Sequence, residues 1–107
     1  MIEVKATPKF LRIAKKAMTP EALQELIDSL ALNPDQGVLI KDTGGIRKIR
    51  WETGKGGGKR GGLRVLYYFD GECLVLLVTL FKKADQENID AGEKVELRKL
   101  IDELLGG

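Results

Sequence analysis

The chain has 107 residues, of which 43% are hydrophobic and 32% are charged. This length and this mixture predict one folded domain over residues 1–107 and exclude a disordered chain. The N-terminal sequence has no apolar secretory segment, and the longest apolar stretch is about half as long as a membrane span. We therefore expect a cytoplasmic protein that does not act at a membrane.

Positive charge is concentrated in the middle of the chain. Residues 1–40 contain five basic and five acidic residues, and residues 65–107 contain five basic and nine acidic ones. Residues 41–64 contain only two acidic residues against eight basic ones, which are Lys41, Arg47, Lys48, Arg50, Lys55, Lys59, Arg60 and Arg64. This local excess predicts one anion-binding face, with a solvated surface loop as the alternative.

The predicted elements begin with a short strand over residues 2–6 and continue with two helices. Thr7-Pro8 and Thr19-Pro20 each combine an N-cap hydroxyl with a proline in the first helical turn. Apolar residues follow both starts at helical spacing, and Asn33-Pro34 ends the second helix. We expect the two helices to form an antiparallel pair that covers one side of a sheet.

Three further strands are predicted over residues 46–52, 63–69 and 72–81. Asp70-Gly71 predicts a two-residue turn between the last two strands, which pairs Phe69 with Glu72. The last strand is apolar on both faces, so we expect it to be central and Cys73 to be a buried thiol.

This turn also fixes which basic side chains share a face, because side chains alternate along a strand. Arg64 then lies opposite Leu77, and Lys82 falls on the other face. The residues predicted to share the face of Arg64 on the last strand are Cys73, Val75, Leu77, Thr79, Phe81 and, if the strand continues, Lys83. On the preceding strand Lys48 and Arg50 point the same way, opposite to Arg47, Ile49 and Trp51.

The final element is a helix from Asp90 through Leu105, with Asp90 and Glu93 as a capping box. The predicted order is therefore β-α-α-β-β-β-α. It describes an α+β fold in which an antiparallel sheet packs with two N-terminal helices and a C-terminal helix.

The residue types restrict the chemistry. The chain has no histidine and one cysteine, which excludes histidine-based catalysis and a zinc site, and we expect no metal and no cofactor. The remaining candidates are the lysines and arginines of the strands. Their alternatives are a structural salt bridge for Arg64 and ordinary solvent exposure for Lys48 and Arg50. For Lys82 and Lys83 the alternative is solubility at the edge of a strand. Packing is the favoured role of Trp51, Tyr67 and Tyr68.

Three segments together resemble the RelE/ParE toxin superfamily, and most closely its HigB-like members. They read Gly-Gly-Ile-Arg-Lys-Ile-Arg-Trp, Gly-Lys-Arg-Gly-Gly-Leu-Arg-Val-Leu-Tyr-Tyr-Phe and Leu-Val-Thr-Leu-Phe-Lys-Lys. The resemblance extends over nearly the whole chain. It implies the toxin of a type II toxin–antitoxin system, a ribosome-dependent endoribonuclease that cleaves mRNA in the ribosomal A site and so inhibits translation. The reaction would be metal-independent and use the 2′-hydroxyl as nucleophile.

The resemblance also implies roles for individual residues. Lys48 and Arg50 match the family's basic pair, Arg64 matches its Gly-x-Arg arginine, and Lys83, or Lys82 beside it, matches the basic residue after the last strand. The implied catalytic residues are Lys48, Arg50, Arg64 and Lys83, with Lys48 as candidate general base. The implied RNA-binding residues are Arg47, Lys55, Lys59, Arg60, Lys82 and Tyr68.

The sequence departs from the family pattern in two places. It lacks the histidines of some HigB proteins, and Ile89 stands in the region where RelE carries a functional tyrosine. The implied partners are the ribosome, mRNA and a HigA-like helix-turn-helix antitoxin, through which alone the toxin would reach operator DNA. Two other functions remain open: a ParE-like toxin that inhibits DNA gyrase without cleaving RNA, and a nucleic-acid-binding module without catalysis.

Overall fold

The computed structural model describes residues 2–55, 62–82 and 89–106. The elements in chain order are β1 (Glu3–Ala6), α1 (Pro8–Ala17), α2 (Pro20–Leu32), β2 (Val38–Leu39), β3 (Ile46–Trp51), β4 (Leu63–Phe69), β5 (Leu74–Lys82) and α3 (Ala91–Leu104). No helix in these three stretches is long and apolar enough to cross a membrane.

The predicted helix starts are confirmed. The hydroxyls of Thr7 and Thr19 accept hydrogen bonds from the backbone N–H groups of Phe10 and Ala22, at 3.0 and 3.1 Å. At the third helix the Asp90 carboxylate accepts from the Glu93 N–H, and the Glu93 side chain accepts from the Asp90 N–H. These contacts satisfy donors that the first helical turn leaves unpaired.

The five strands form one sheet in the order β1-β5-β4-β3-β2. The α+β fold is confirmed, and β5 is an interior strand between β1 and β4, as its two apolar faces predict. The sheet is mixed rather than antiparallel, because β1 runs parallel to β5. The two-residue strand β2, which pairs with β3, was not predicted. Alternation of side chains indicates a strand, but it carries no information about the partner or the direction of pairing.

The β4–β5 turn is wider than the predicted two residues, and Phe69 pairs with Val75 instead of Glu72. Asp70 explains the difference, because its Oδ1 accepts hydrogen bonds from the backbone N–H groups of three residues that follow it. These bonds, the one from Leu74 most of all, hold the pKa of Asp70 below its ordinary value. Cys73 consequently lies in the turn and is exposed, so its prediction as a buried thiol is wrong.

A register shift between Leu66 and Tyr67 further changes the β4–β5 pairing. Arg64 pairs with Phe81, not with Leu77 as predicted. The bulge reverses the alternation on β5, so Val75 and Leu77 lie in the core on the opposite face from Arg64. A local irregularity of this kind leaves no simple signal in the sequence.

The sheet separates two hydrophobic clusters. Helices α1 and α2 pack on one face, where their buried residues Phe10 and Leu26 join Val65 and Tyr67. Helix α3 packs on the other face through Ile101. The residues of this second cluster, with the partly buried residues packed against it, are Ile46, Leu66, Leu76, Val78, Ile101, Ile40, Tyr68, Phe81, Ile89, Leu97 and Leu100.

Two cross-strand neighbours on the α1–α2 face, Arg47 and Tyr67, hold the loop before β2. The Arg47 guanidinium donates to the carbonyl oxygens of Asp35 and Gly37, at 3.1 and 2.7 Å. The Tyr67 hydroxyl donates to the Pro34 carbonyl and accepts from the Gly37 N–H, both at 2.8 Å. Burial raises the pKa of Tyr67 above its ordinary value.

Candidate catalytic face

Three of the four predicted catalytic residues meet on the α3 face of the sheet. Arg50 on β3 is the direct cross-strand partner of Arg64 on β4, and Lys48 pairs with Leu66 two residues further along. Directly paired Cβ atoms in an antiparallel sheet are about 5 Å apart, and diagonal neighbours are within reach of long side chains. We call Lys48, Arg50 and Arg64 the basic trio. The fourth residue, Lys83, lies outside the described residues.

The members of the basic trio differ in exposure. Arg64 is buried, with 8% of its surface exposed, whereas Lys48 is half-buried and Arg50 is exposed. A guanidinium held by its surroundings loses little conformational freedom when it binds an anion, while exposed side chains adapt to the ligand. The trio therefore combines one fixed cation with two that are accessible from solvent.

Lys48 lines a small cleft of about 210 Å³ together with Ile40, Ile89 and Lys94. Lys94 on α3 was not among the predicted site residues, because it comes from an acidic segment of the chain. Only the packing of α3 on the sheet brings it near Lys48, so no sequence spacing indicated it. Lys94 adds a fourth basic side chain to this part of the face.

Ile89 lies just before the N-cap of α3 and lines the same cleft as Lys48. The resemblance placed Ile89 in the region where RelE carries a functional tyrosine, and in the structure this residue lies beside Lys48. Isoleucine has no group that can donate or accept a proton. This position therefore contributes apolar surface and no acid or base.

The α3 face around Arg64 also carries two residues of β5. Thr79 and Phe81 share this face with Arg64, as predicted, since they pair with Leu66 and Arg64 before the bulge. Tyr68, a predicted RNA-binding residue, is half-buried on the same face and packs against the α3-side cluster.

Three other predicted RNA-binding residues, Arg47, Lys55 and Lys82, do not join the trio. Arg47 lies on the α1–α2 face with its guanidinium on two loop carbonyls. Lys82 is exposed and pairs with Leu63, which places it on that same face, as predicted. The Lys55 ammonium donates to the Lys16 carbonyl at the end of α1. Lys59 and Arg60 lie outside the described residues.

The predicted packing role of Trp51 is confirmed. Its indole Nε1 donates to the carbonyl oxygen of Ala22 at 2.9 Å, and its ring packs against the core on the α1–α2 side. Trp51 therefore ties β3 to α2 and faces away from the basic trio.

The arrangement is suited to binding a phosphodiester. Two guanidinium groups can each form paired hydrogen bonds to phosphate oxygens, and a lysine ammonium supplies a further positive charge. Because the trio lies on strands of the central sheet, its members are placed by backbone pairing rather than by loops.

Comparison with known proteins identifies the family. The model of the family described as RelE toxin of the RelE/RelB toxin–antitoxin system matches residues 3–106. A solved structure of E. coli toxin RelE, a double arginine-to-alanine mutant in the free state, is similar with a TM-score of 0.60 and 15% identity. The match covers 89% of this chain and 95% of that one. At this identity the structural likeness shows the shared fold, and the family model shows the relationship. The chain belongs to the RelE toxin family.

Proposed function

We propose that this protein is a ribosome-dependent mRNA endonuclease that inhibits translation by cutting messenger RNA in the ribosomal A site. One observation carries the proposal beyond the family assignment: Lys48, Arg50 and Arg64 converge on a single face of the sheet, with Arg50 and Arg64 directly paired. A toxin that acts by protein binding alone has no need of such a cluster.

In the proposed reaction the 2′-oxygen attacks the neighbouring phosphorus, and the 5′-oxygen of the next nucleotide is released. The 2′-oxygen attacks the neighbouring phosphorus and loses its proton, the bond from phosphorus to the 5′-oxygen breaks, and that oxygen takes up a proton. The products are a 2′,3′-cyclic phosphate and a 5′-hydroxyl. The enzyme must align the 2′-oxygen with the leaving oxygen and stabilise the additional negative charge of the transition state.

Each member of the trio is assigned a part of this task. Arg64, the buried member, holds the non-bridging oxygens bidentately, which fixes the position of the phosphorus. Arg50 opposite it neutralises the developing charge, and Lys48 is the candidate general base. Lys83, the candidate for protonating the 5′-oxygen, follows directly after β5 in the chain.

The proposed partners follow from the family assignment. Family toxins pair with antitoxins and act on ribosomes, and we propose a HigA-like helix-turn-helix antitoxin for this chain. The substrate, mRNA on the ribosome, places the active protein in the cytoplasm. A small helix-turn-helix protein encoded in the adjacent reading frame would support this pairing.

The test compares two double variants with the same loss of charge. Lys48→Ala with Arg50→Ala removes the accessible part of the trio, and Lys5→Ala with Lys15→Ala removes two exposed lysines elsewhere. Primer extension on programmed ribosomes should show A-site cleavage by the wild type and the control, and a loss of at least about 100-fold in the trio variant.

Three outcomes would contradict the proposal. Intact transcripts together with an SOS response on induction of the wild type would indicate a ParE-like gyrase inhibitor. Binding of the wild type to ribosomes without cleavage would indicate a binding module. Unchanged cleavage by the trio variant would remove these residues from the catalytic site.

A further inference from the structure

We propose that a basic groove beside α1 binds the single-stranded RNA that flanks the cleaved phosphate. This inference rests on the proposed function and extends it to the opposite side of the sheet. The groove has a volume of about 480 Å³ and lies between α1 and the ends of β4 and β5. Its rim carries Arg12, Lys16 and Lys82, and we call it the α1 groove.

The charge of the α1 groove fits a polyanion. Among the described residues that line it, every charged side chain is basic, and Arg12, Lys16 and Lys82 are all exposed. Lys55 adds positive charge at the same end of α1, since its ammonium donates to the Lys16 carbonyl. Several lysines and arginines along one groove are the usual means of following a nucleic-acid backbone.

The α1 groove lies close to the basic trio along β4, on the other face of the sheet. Leu63 and Lys82 form the last β4–β5 pair and border the groove, and Arg64 and Phe81 form the next pair. Because successive residues of a strand face opposite sides, one step along β4 leads from the groove to the trio. The groove and Arg64 are thus one residue apart along β4, on opposite faces of the sheet.

Phe81 provides an aromatic ring at the groove. It is half-buried, and it also lines a cleft of about 420 Å³ on the α3 face, whose charged lining residues are Lys9, Glu93 and Glu96. Single-stranded nucleic acids are commonly held by an aromatic ring for a base and cations for the phosphates. The groove supplies both, with an aliphatic floor that includes Ile13 and Leu80.

Single-stranded RNA is favoured over the other occupant that such a groove would accept. An acidic peptide with apolar side chains would also match a basic rim and an aliphatic floor. The position of Leu63 next to Arg64 on β4 distinguishes the two, because a substrate strand must extend beyond its cleaved phosphate in both directions. The groove therefore serves the strand that the trio binds.

The experiment uses the full chain and RNA fully substituted with 2′-O-methyl groups, which cannot be cleaved through the 2′-oxygen. Binding of a 4-nucleotide and a 12-nucleotide RNA is measured by fluorescence anisotropy over a range of salt concentrations. The groove variant is Arg12→Ala with Lys16→Ala, and the matched control is Lys5→Ala with Lys15→Ala, whose residues lie outside the groove. All four positions are exposed, so both variants should fold.

The groove variant should bind the 12-nucleotide RNA about tenfold more weakly than the control. A plot of the logarithm of affinity against the logarithm of salt concentration should be less steep by about 1.4, which is about 0.7 for each of the two lost phosphate contacts. Its affinity for the 4-nucleotide RNA should match the control. Equal binding of the longer RNA by both variants would overturn the proposal, as would a groove variant that loses only the affinity for an acidic leucine–glutamate peptide. Cleavage by the Lys48→Ala, Arg50→Ala variant would instead refute the catalytic assignment and leave the binding result intact.

Discussion

Arg50 and Arg64 are direct cross-strand partners on the α3 face of the sheet, one exposed and the other buried. Like charges that face each other across two strands lower the stability of a sheet. A phosphate bound between the two guanidinium groups would offset that repulsion. Removing one of the two charges is therefore expected to change both the stability and the binding of phosphate.

Arg50→Gln should therefore make the protein more stable and less active. Removing one of the two facing charges should raise the free energy of unfolding by about 0.5 kcal/mol, as expected for a cross-strand pair. Cleavage on programmed ribosomes should fall, because the developing charge loses a cation. Urea denaturation at low salt and a cleavage assay on the same preparation measure both effects. A variant that is less stable and still fully active would show that Arg50 has a structural role.

Arg64→Lys keeps the positive charge and removes the paired donors of the guanidinium. If Arg64 holds the phosphate bidentately, cleavage should fall about 100-fold. The buried position makes a control for folding necessary, so thermal unfolding of the variant should be compared with that of the wild type. Wild-type cleavage by a folded lysine variant would mean that only the charge of Arg64 matters.

Arg47→Ala separates a structural role from the RNA-binding role predicted from sequence. The variant loses two hydrogen bonds from a charged group to the carbonyls of Asp35 and Gly37, so the free energy of unfolding should fall by about 2 kcal/mol. Cleavage per folded molecule should remain near that of the wild type, because the guanidinium is held by two loop carbonyls and lines neither the trio nor the α1 groove. Weaker RNA binding without a loss of stability would support the role predicted from sequence.

Tyr67→Phe should lower stability by about 2 kcal/mol near neutral pH, because the Gly37 N–H and the Pro34 carbonyl lose their hydroxyl partner. Burial raises the pKa of Tyr67 in the folded state from its ordinary value of 10.0, so the folded state holds this proton more tightly than the unfolded chain. The stabilisation is therefore complete below pH 10 and decreases as the pH rises above it. Urea denaturation from pH 8 to 11 should show that the difference in free energy of unfolding between the wild type and Tyr67→Phe becomes smaller. A difference in free energy of unfolding that stays constant over this range would contradict a raised pKa of Tyr67 in the folded state.

Helix boundaries were predictable from the sequence because their signals are local. Thr7, Thr19 and Asp90 are N-caps that act within three residues of themselves, and Asn33 directly precedes a proline. Two members of the basic trio, Lys48 and Arg50, were also indicated locally, since they are two residues apart on one strand.

The turn and the groove were not predictable in this way. Asp70-Gly71 favours a two-residue turn, but the Asp70 carboxylate gathers three N–H groups and widens it, which moves Cys73 to the surface. The approach of Arg12 on α1 to Lys82 on β5 depends on how a helix lies on a sheet. Nothing in the sequence spacing of these two residues indicates that they line the same groove.

The sequence by itself determined the helices, the main strands, the concentration of positive charge and the resemblance to RelE toxins, because these depend on short-range periodicity and on motifs of adjacent residues. Only the tertiary structure decided the parallel pairing of β1 with β5, the partner of Arg64, the approach of Lys94 to Lys48 and the groove beside α1. These features depend on strand register and on packing between distant segments. A single bulge or one wider turn changes the strand register and the packing. The free-energy cost of such an irregularity is offset by contacts between residues that are far apart in the chain.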